Sequence, residues 1–422
     1  MQHLLGADRV REPAGAERLA ALTVVEPRSE AEIAELVRKC ESDRLTLAPI
    51  NTGRLLATIR REPVVVGVAL NRMAPVTAYE PDDMTITVQA GATLEAVNGC
   101  CAGRQQWLPA DPPSPRSTTV GAMVAAARSG PFRLAEGSVR DLVIGIRFVG
   151  RTGRIVHGGG RVVKNVAGYD LMRVMTGSLG TLGVITKLTF KVRPLPEGYT
   201  IVLAGWENEQ NAFECARRWH DALPLLHLEV LPPDIGVQIW NGGRNVGHGS
   251  AHIEPSRFIV IGGFGGNEPE RAEQRAQFAA LSGTDLAFVE ERPAWEIYER
   301  LRDAALPEAA LTAIVAVAPD ELGRVVAGCG VPYKAHAGSG VAELFMPAST
   351  APEAAAQAVS RWREHAREAR GHVRVVAASQ PVAHAVDPFG EGAQGTLRLM
   401  RRLKDAFDPA GIFNPGCFVG GI

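Results

Sequence analysis

The stretch Gly159–Pro194, GGRVVKNVAGYDLMRVMTGSLGTLGVITKLTFKVRP, decides how the rest of the chain is read. It runs as loop, short helix, glycine-punctuated turn and strand. Glycine has no Cβ, so it can take φ > 0 and let a ligand come close to the main chain. Gly177, Gly180 and Gly183 are spaced GxxGxxG, after a helix and before a strand. A Rossmann fingerprint has the opposite order, strand, GxGxxG, helix, so that mode of dinucleotide binding is excluded. No GxxxxGK[ST] occurs either, which excludes a P-loop nucleotidase.

Working outward, three more loops of the first half sit at strand or helix ends: PINTGR (Pro49–Arg54), DPPSPRSTTVGA (Asp111–Ala122) and GSVRDL (Gly137–Leu142). Backbone N–H groups in such turns form anion-binding nests, and the helix after Thr119 adds its positive end. One such loop only turns the chain. Several in series suit a ligand with a pyrophosphate and an extended tail.

Around these loops, SEAEIAELVRKCESD predicts a helix with Ser29 and Glu32 as a capping box and Ile33, Leu36, Val37 and Cys40 on one face. LTLAPI, PVVVGVAL and MTITVQAG predict strands, TLEAVNGCC a helix, and DLVIGIRFVGRTGRIVHG a hairpin turning at Thr152-Gly153. The character changes after KVRPLPEGY, where TIVLAGW, RFIVIGGF, LTAIVAVA, VAELFMP and HVRVVAA alternate with amphipathic helices. A last helix, TLRLMRRLKDAF, is stopped by Asp408-Pro409, and its glycine-rich apolar tail is expected to be tied down. The expected organisation is a ligand-binding domain over residues 20–196, a second domain over 197–385, and a helix and tail, 386–422, returning to the first.

At 422 residues the chain has room for two domains. A net charge of −1 and 6% aromatic residues give no footprint for nucleic acid or a polybasic membrane anchor. No membrane span and no signal peptide are expected. The six cysteines form no CxxC pair, so the chain is expected to carry no zinc or iron–sulfur site of its own.

Three segments carry a family resemblance: GGRVVKNVAGYDLMRVMTGSLGTLGVITKLTFKVRPLP, STTVGAMVAAARSGPFRLAEGSVRDLVIG and FDPAGIFNPGCFVGG. They resemble the FAD-binding core of the vanillyl-alcohol-oxidase-type flavoproteins, the PCMH fold, nearest in kind to the FAD-binding E subunits of bacterial glycolate oxidases. The likeness implies an α+β, two-domain architecture, with a PCMH-type FAD-binding domain and an antiparallel-sheet α+β cap domain. It implies that Ile50, Asn51, Thr52, Gly53 and Arg54 wrap the pyrophosphate, although the family's usual glycine run is here only Asn51-Thr52-Gly53. Asp111, Pro112, Pro113, Thr118, Thr119, Val120, Gly121 and Ala122 would follow the ribityl chain and diphosphate. Gly130, Gly137, Ser138 and Asp141 would shape the flavin cavity, Gly183, Val184 and Ile185 would meet the adenine side, and Asn414 would return to the isoalloxazine. Non-covalent FAD is expected, and Gly183→Val is expected to cost flavin retention more than folding.

For substrate chemistry, KAHAGSGVAELF (Lys334–Phe345) resembles the family's His-x-Gly-Asp-Gly-x-x-His stretch, with His336 at the first histidine and Glu343 at the second. Two ligands fall short of the three or four a metal site wants, so no metal is expected. His336 and Tyr169 are the candidate catalytic groups; the plain alternatives are a strand histidine and a packed aromatic. The family implies oxidation of a small 2-hydroxy acid, glycolate to glyoxylate, by a cytoplasmic FAD subunit beside a sister FAD subunit and an iron–sulfur subunit. Those partners would give any peripheral attachment to the inner membrane. A stand-alone D-2-hydroxyacid dehydrogenase and a largely non-catalytic scaffold subunit are the alternatives.

Overall fold

A computed structural model describes residues 1, 5–50, 63–160, 169–240, 257–305, 308–392 and 394–422. The chain divides into two units, each taking up discontinuous sequence. The first comprises Met1–Ser129, Gly137–Leu195 and Phe389–Ile422, and the second Gly130–Glu136 and Pro196–Pro388.

In the first unit, β1 (Val10–Arg11), β2 (Ala21–Val25), β3 (Leu47–Ile50) and β4 (Val64–Ala69) form a small sheet in the order β1-β2-β4-β3. β2, β4 and β3 run parallel, and β1 is antiparallel to β2. The helix Glu30–Asp43 links β2 to β3 and buries Ile33, Leu36, Val37 and Cys40, the face its spacing predicts. Ser29 accepts from Glu32 N at 3.2 Å, but the capping box is only half made. Glu32 turns its carboxylate to the N–H of Arg28 at 2.8 Å and to Arg9, a cation that serves it better than Ser29 N–H would.

A second sheet follows from β5 (Val76–Glu80), β6 (Thr85–Gln89), β8 (Val143–Val149), β9 (Ile155–Gly159) and β10 (Val184–Lys191), while β7 (Gln106–Trp107) pairs with β11 (Arg193–Pro194). Its order is β5-β6-β10-β8-β9, antiparallel throughout. One face presents Ile86, Val88, Ile146, Phe148, Leu188 and Phe190 to a core shared with Leu94, Val97, Val120, Met123 and Val124. Those last five come from the helices Leu94–Ala102 and Val120–Ala126, whose N-caps Thr93 and Thr119 are joined by a β-bridge.

The second unit is built on eight antiparallel strands: β12 (Gly198–Trp206), β13 (His227–Leu231), β14 (Phe258–Gly266), β15 (Leu286–Glu290), β16 (Leu311–Ala316), β17 (Tyr333–His336), β18 (Val341–Met346) and β19 (His372–Ala378). Their order is β15-β12-β14-β13-β17-β18-β16-β19. One core joins Val202, Leu228, Val230, Phe264 and Leu344 of the strands to Trp219, Phe278, Val325 and Trp362 of four helices. Burying indoles demands partners for their N–H groups. Trp219 donates to Ser282 Oγ at 3.0 Å and Trp362 to the Cys329 carbonyl at 3.1 Å. No helix among the described residues is long and apolar enough to cross a membrane.

Candidate functional site: a glycine-turn cradle and a buried polar row

Segment Gly177–Gly183 lies where the opening stretch places it, between the helix Leu171–Met175 and β10. Gly177, Leu179 and Gly180 take φ of 81°, 54° and 73°, so three of four consecutive residues are left-handed. The turn is pinned by Gly177 N and Leu179 N donating to Val124 and Ala125 carbonyls at 2.9 and 2.8 Å. Within it, Ser178 Oγ is buried and has no hydrogen-bond partner among the described residues. A buried hydroxyl left unmet costs about 1–3 kcal/mol, so this one calls for a polar guest. Spacing marks the glycines and carries no signal for the serine between them.

Residues 390–422 close this loop from behind. Lys404 Nζ, buried, donates to the carbonyls of Thr181 at 2.8 Å and Phe413 at 2.7 Å and to Asp408 Oδ2 at 2.6 Å. Burial holds the Lys404 pKa below its ordinary value, even though the Asp408 carboxylate pulls it up. Asn414, fully buried, gives its Nδ2 hydrogen to the Leu179 carbonyl at 2.6 Å and its backbone N–H to Leu47 O at 2.7 Å. The tail is tied down, as its composition predicts.

The other expected cofactor residues are mostly shapers. Val120 N and Gly121 N donate to Ala92 and Ala90 carbonyls at 2.9 Å each, and Thr119 Oγ1 accepts from Ala122 N at 3.3 Å. A Cβ on Gly121 would stand 2.8 Å from Ala90 O. The first-turn N–H groups are therefore largely spent inside the protein. Thr118 Oγ1 donates to Pro113 O at 3.0 Å, and Asp111 and Pro112 are buried. Ser138 donates to Asp141 from its N–H at 2.9 Å and its hydroxyl at 2.6 Å, which lowers the Asp141 pKa. Gly137, left-handed, precedes this cap, while Gly130 falls in the second unit. Val184 and Ile185 are core residues of β10, and Ile50 ends β3. A Cβ on Gly183 would lie 2.8 Å from the Val149 carbonyl, against the protein's own backbone. Asn51, Thr52, Gly53 and Arg54 lie outside the described residues.

In the second unit, one face of the large sheet carries a polar row. On β13, His227 and Glu229 point the same way because strand side chains alternate, and Glu229 registers with His336 of β17. His336 Nδ1 lies 2.7 Å from Glu229 Oε2, both groups buried. Burial opposes the charge on His336, but Glu229 outweighs it and the pKa rises. Tyr199 OH lies 2.6 Å from His227 Nε2, and burial, aided by the nearby His336, drives the His227 pKa down to about 3. Lys334 Nζ donates to the carbonyls of Arg302 at 2.9 Å and Ala304 at 3.1 Å and lies 3.7 Å from Glu343. Phe132 and Trp295 cover the His227 end, with Tyr199 and Trp295 centroids 4.3 Å apart.

His336 is thus a strand residue with a carboxylate partner that the sequence did not reveal. Glu343 registers with Lys334 and not with His336, and no group of three or more metal-ligating His, Cys, Asp or Glu occurs among the described residues. Tyr169, in the first unit, is 92% exposed, which rules out the packed-aromatic alternative.

Known proteins resemble the chain in sequence and in fold. Residues 21–159 match the family model described as an FAD binding domain, and residues 390–417 match the C-terminal domain of FAD linked oxidases. Over these two segments the chain is similar to the PCMH-type FAD-binding flavoproteins. Its architecture is that of this family: 4-ethylphenol oxidase from Gulosibacter chungangensis superposes with a TM-score of 0.68 over 98% of this chain and 95% of that one, at 15% identity. p-Cresol methylhydroxylase does so with a TM-score of 0.68 over 98% and 94%, at 13% identity. Among curated relatives, glycolate oxidase subunit GlcE of Escherichia coli is 29% identical over 80% of this chain and 83% of its own. The mitochondrial cytochrome-type D-lactate dehydrogenase of Arabidopsis thaliana is 25% identical over 93% and 72%. The flavoprotein is an FAD-dependent oxidoreductase. The left-handed turn, the unmet Ser178 hydroxyl and the tail that braces them fit a polar, extended cofactor of this kind.

Proposed function

We propose that this flavoprotein is the FAD-binding subunit of a glycolate oxidase-type complex, oxidising a small 2-hydroxy acid and passing electrons to an iron–sulfur partner. The observation that carries the reading is the likeness to glycolate oxidase subunit GlcE along four-fifths of the chain, joined to the unmet Ser178 hydroxyl in the glycine turn. Bound non-covalently, FAD would supply the acceptor for the substrate's hydride. Ser178 would hydrogen-bond it, and the turn from Gly177 to Gly180 would admit it. The loops from Asp111 to Ala122 and from Gly137 to Asp141, with Asn51–Arg54, would enclose it, Asn414 bracing the turn from behind.

His336 is the proposed proton acceptor. With Glu229 holding a proton at Nδ1, the ring's Nε2 is the atom left to take the substrate hydroxyl proton, and the carboxylate makes that nitrogen more basic. Tyr169 is the second proposed proton-handling group, tested separately by Tyr169→Phe.

The test is anaerobic. The FAD-loaded chain is mixed with glycolate or D-lactate, alone and with its sister flavoprotein and iron–sulfur subunits, and flavin absorbance is followed. Bleaching that needs the other subunits supports the complex, and bleaching by the chain alone makes it a self-sufficient dehydrogenase. A colourless protein that cannot be loaded with FAD makes it a scaffold and overturns the proposal.

A further inference from the structure

The face of the second sheet turned away from its hydrophobic core holds a feature that the flavin reading does not use. In cross-strand register, Lys187 of β10 pairs with Arg147 of β8, and Arg147 with His157 of β9. Three basic side chains therefore stand side by side on adjacent strands. Like charges directly opposite in a sheet are destabilising, so such a row persists where something negative answers it. Glu30 answers one member, at 2.7 Å from Arg147 Nη2. Lys187 and His157 have no hydrogen bond or ion pair among the described residues.

Next to this row the sheet is hollowed. The neighbouring register positions are Thr87, Thr189, Gly145 and Gly159, so two hydroxyls are followed by two positions with no side chain. Thr87 and Thr189 share a hydrogen bond at 3.0 Å and form a buried polar floor. Gly159 leaves no room for a side chain, since its Cβ would lie 2.1 Å from the Ile144 carbonyl, and a Cβ on Gly145 would be tight, 3.1 Å from Thr189. The resulting cavity, about 550 Å³, is lined by Lys187, Arg147 and His157 on one side and by Thr77, Thr87 and Thr189 on the other. That is the size of a small-molecule site. None of the residues expected to hold FAD lines it.

We propose that this hollow is a second ligand site, for a small oxyanion (a phosphate ester or a polycarboxylate) whose charge is met by Lys187, Arg147 and His157 and whose oxygens meet the threonine floor. The excess of positive over negative side chains in the row sets the ligand's sign. The hydroxyl floor favours oxygen over an apolar body, and the limited volume favours a metabolite over a folded partner.

The test is calorimetric titration of the FAD-loaded full chain with inorganic phosphate and with citrate. Loading fills the flavin's own diphosphate site beforehand, so a result here is independent of the glycolate oxidase reading. Saturable binding of one equivalent is expected, weakened at least tenfold in Lys187→Gln and again in His157→Gln, with the flavin spectrum and melting temperature of both variants unchanged. Phosphate binding with citrate excluded would assign a phosphate ester, and the converse a polycarboxylate. Absence of saturable binding to the wild type by either anion, or equal binding by both variants and the wild type, overturns the proposal.

Discussion

Asn414 gives its side-chain N–H to the carbonyl of Leu179 at 2.6 Å, and Leu179 is itself held in the left-handed region at φ 54°. A non-glycine residue keeps such a backbone only where its surroundings enforce it. Replacing Asn414 with Ala leaves a buried carbonyl unmet and frees the turn. A loss of about 1–3 kcal/mol in urea unfolding is expected. Faster flavin release by the folded variant should accompany it.

Lys404 makes a stronger brace, because a buried cation and the carboxylate of Asp408 satisfy each other and two carbonyls. Lys404→Met keeps the length of the side chain and abandons Asp408 as an unpaired buried charge. A cost of about 3–5 kcal/mol is expected. A double variant with Asp408→Asn should recover part of it, read as a higher urea midpoint than the single variant. No recovery would mean that the two groups act separately.

Ser178→Ala removes a hydroxyl that has no partner in the protein. Unfolding of the cofactor-free chain should be unchanged or slightly strengthened. FAD affinity, measured by fluorescence titration, should fall by about fivefold, the worth of one hydrogen bond of about 1 kcal/mol.

Gly183→Val behaves differently. Its Cβ would press on the Val149 carbonyl and the Phe148 ring, and its φ of 150° disfavours any branched residue. Folding should suffer as much as flavin retention, contrary to what the glycine spacing alone suggests. Soluble yield and melting temperature of the cofactor-free variant report on folding directly.

The two histidines of the polar row respond to pH with opposite sign. His227 has its pKa depressed to about 3 against an ordinary 6.5. Between those values the unfolded chain takes up a proton that the folded chain refuses, so stability declines as pH falls through that window. His336 has its pKa raised by Glu229, so its contribution is full below 6.5 and is lost as pH climbs through the folded value. His227→Gln, which can still bond to Tyr199, should flatten the acid side of a plot of urea midpoint against pH. An unchanged acid limb would assign the loss to other groups.

How far the sequence discloses this molecule follows from the range of its signals. The turn before β10, the β8–β9 hairpin and the face of the helix Glu30–Asp43 are local patterns, and they stand where the residues suggest. β13 gives a weak local signal because HLEVL carries two polar residues on a face that strand patterns expect to be apolar or exposed. Its Glu229 meets His336 through a pairing between strands far apart in the chain, for which no local signal exists. Ser178 was hidden for the same reason: only packing shows that its hydroxyl is sealed from water and unmet.

The first unit is interrupted by Pro196–Pro388 before the chain supplies Lys404 and Asn414. A ribosome must therefore translate all of the second unit before the turn at Leu179 can be braced. Maturation on the ribosome then runs against chain order: the later, almost uninterrupted unit can settle first, and the earlier one stays without its brace until residue 414 has emerged.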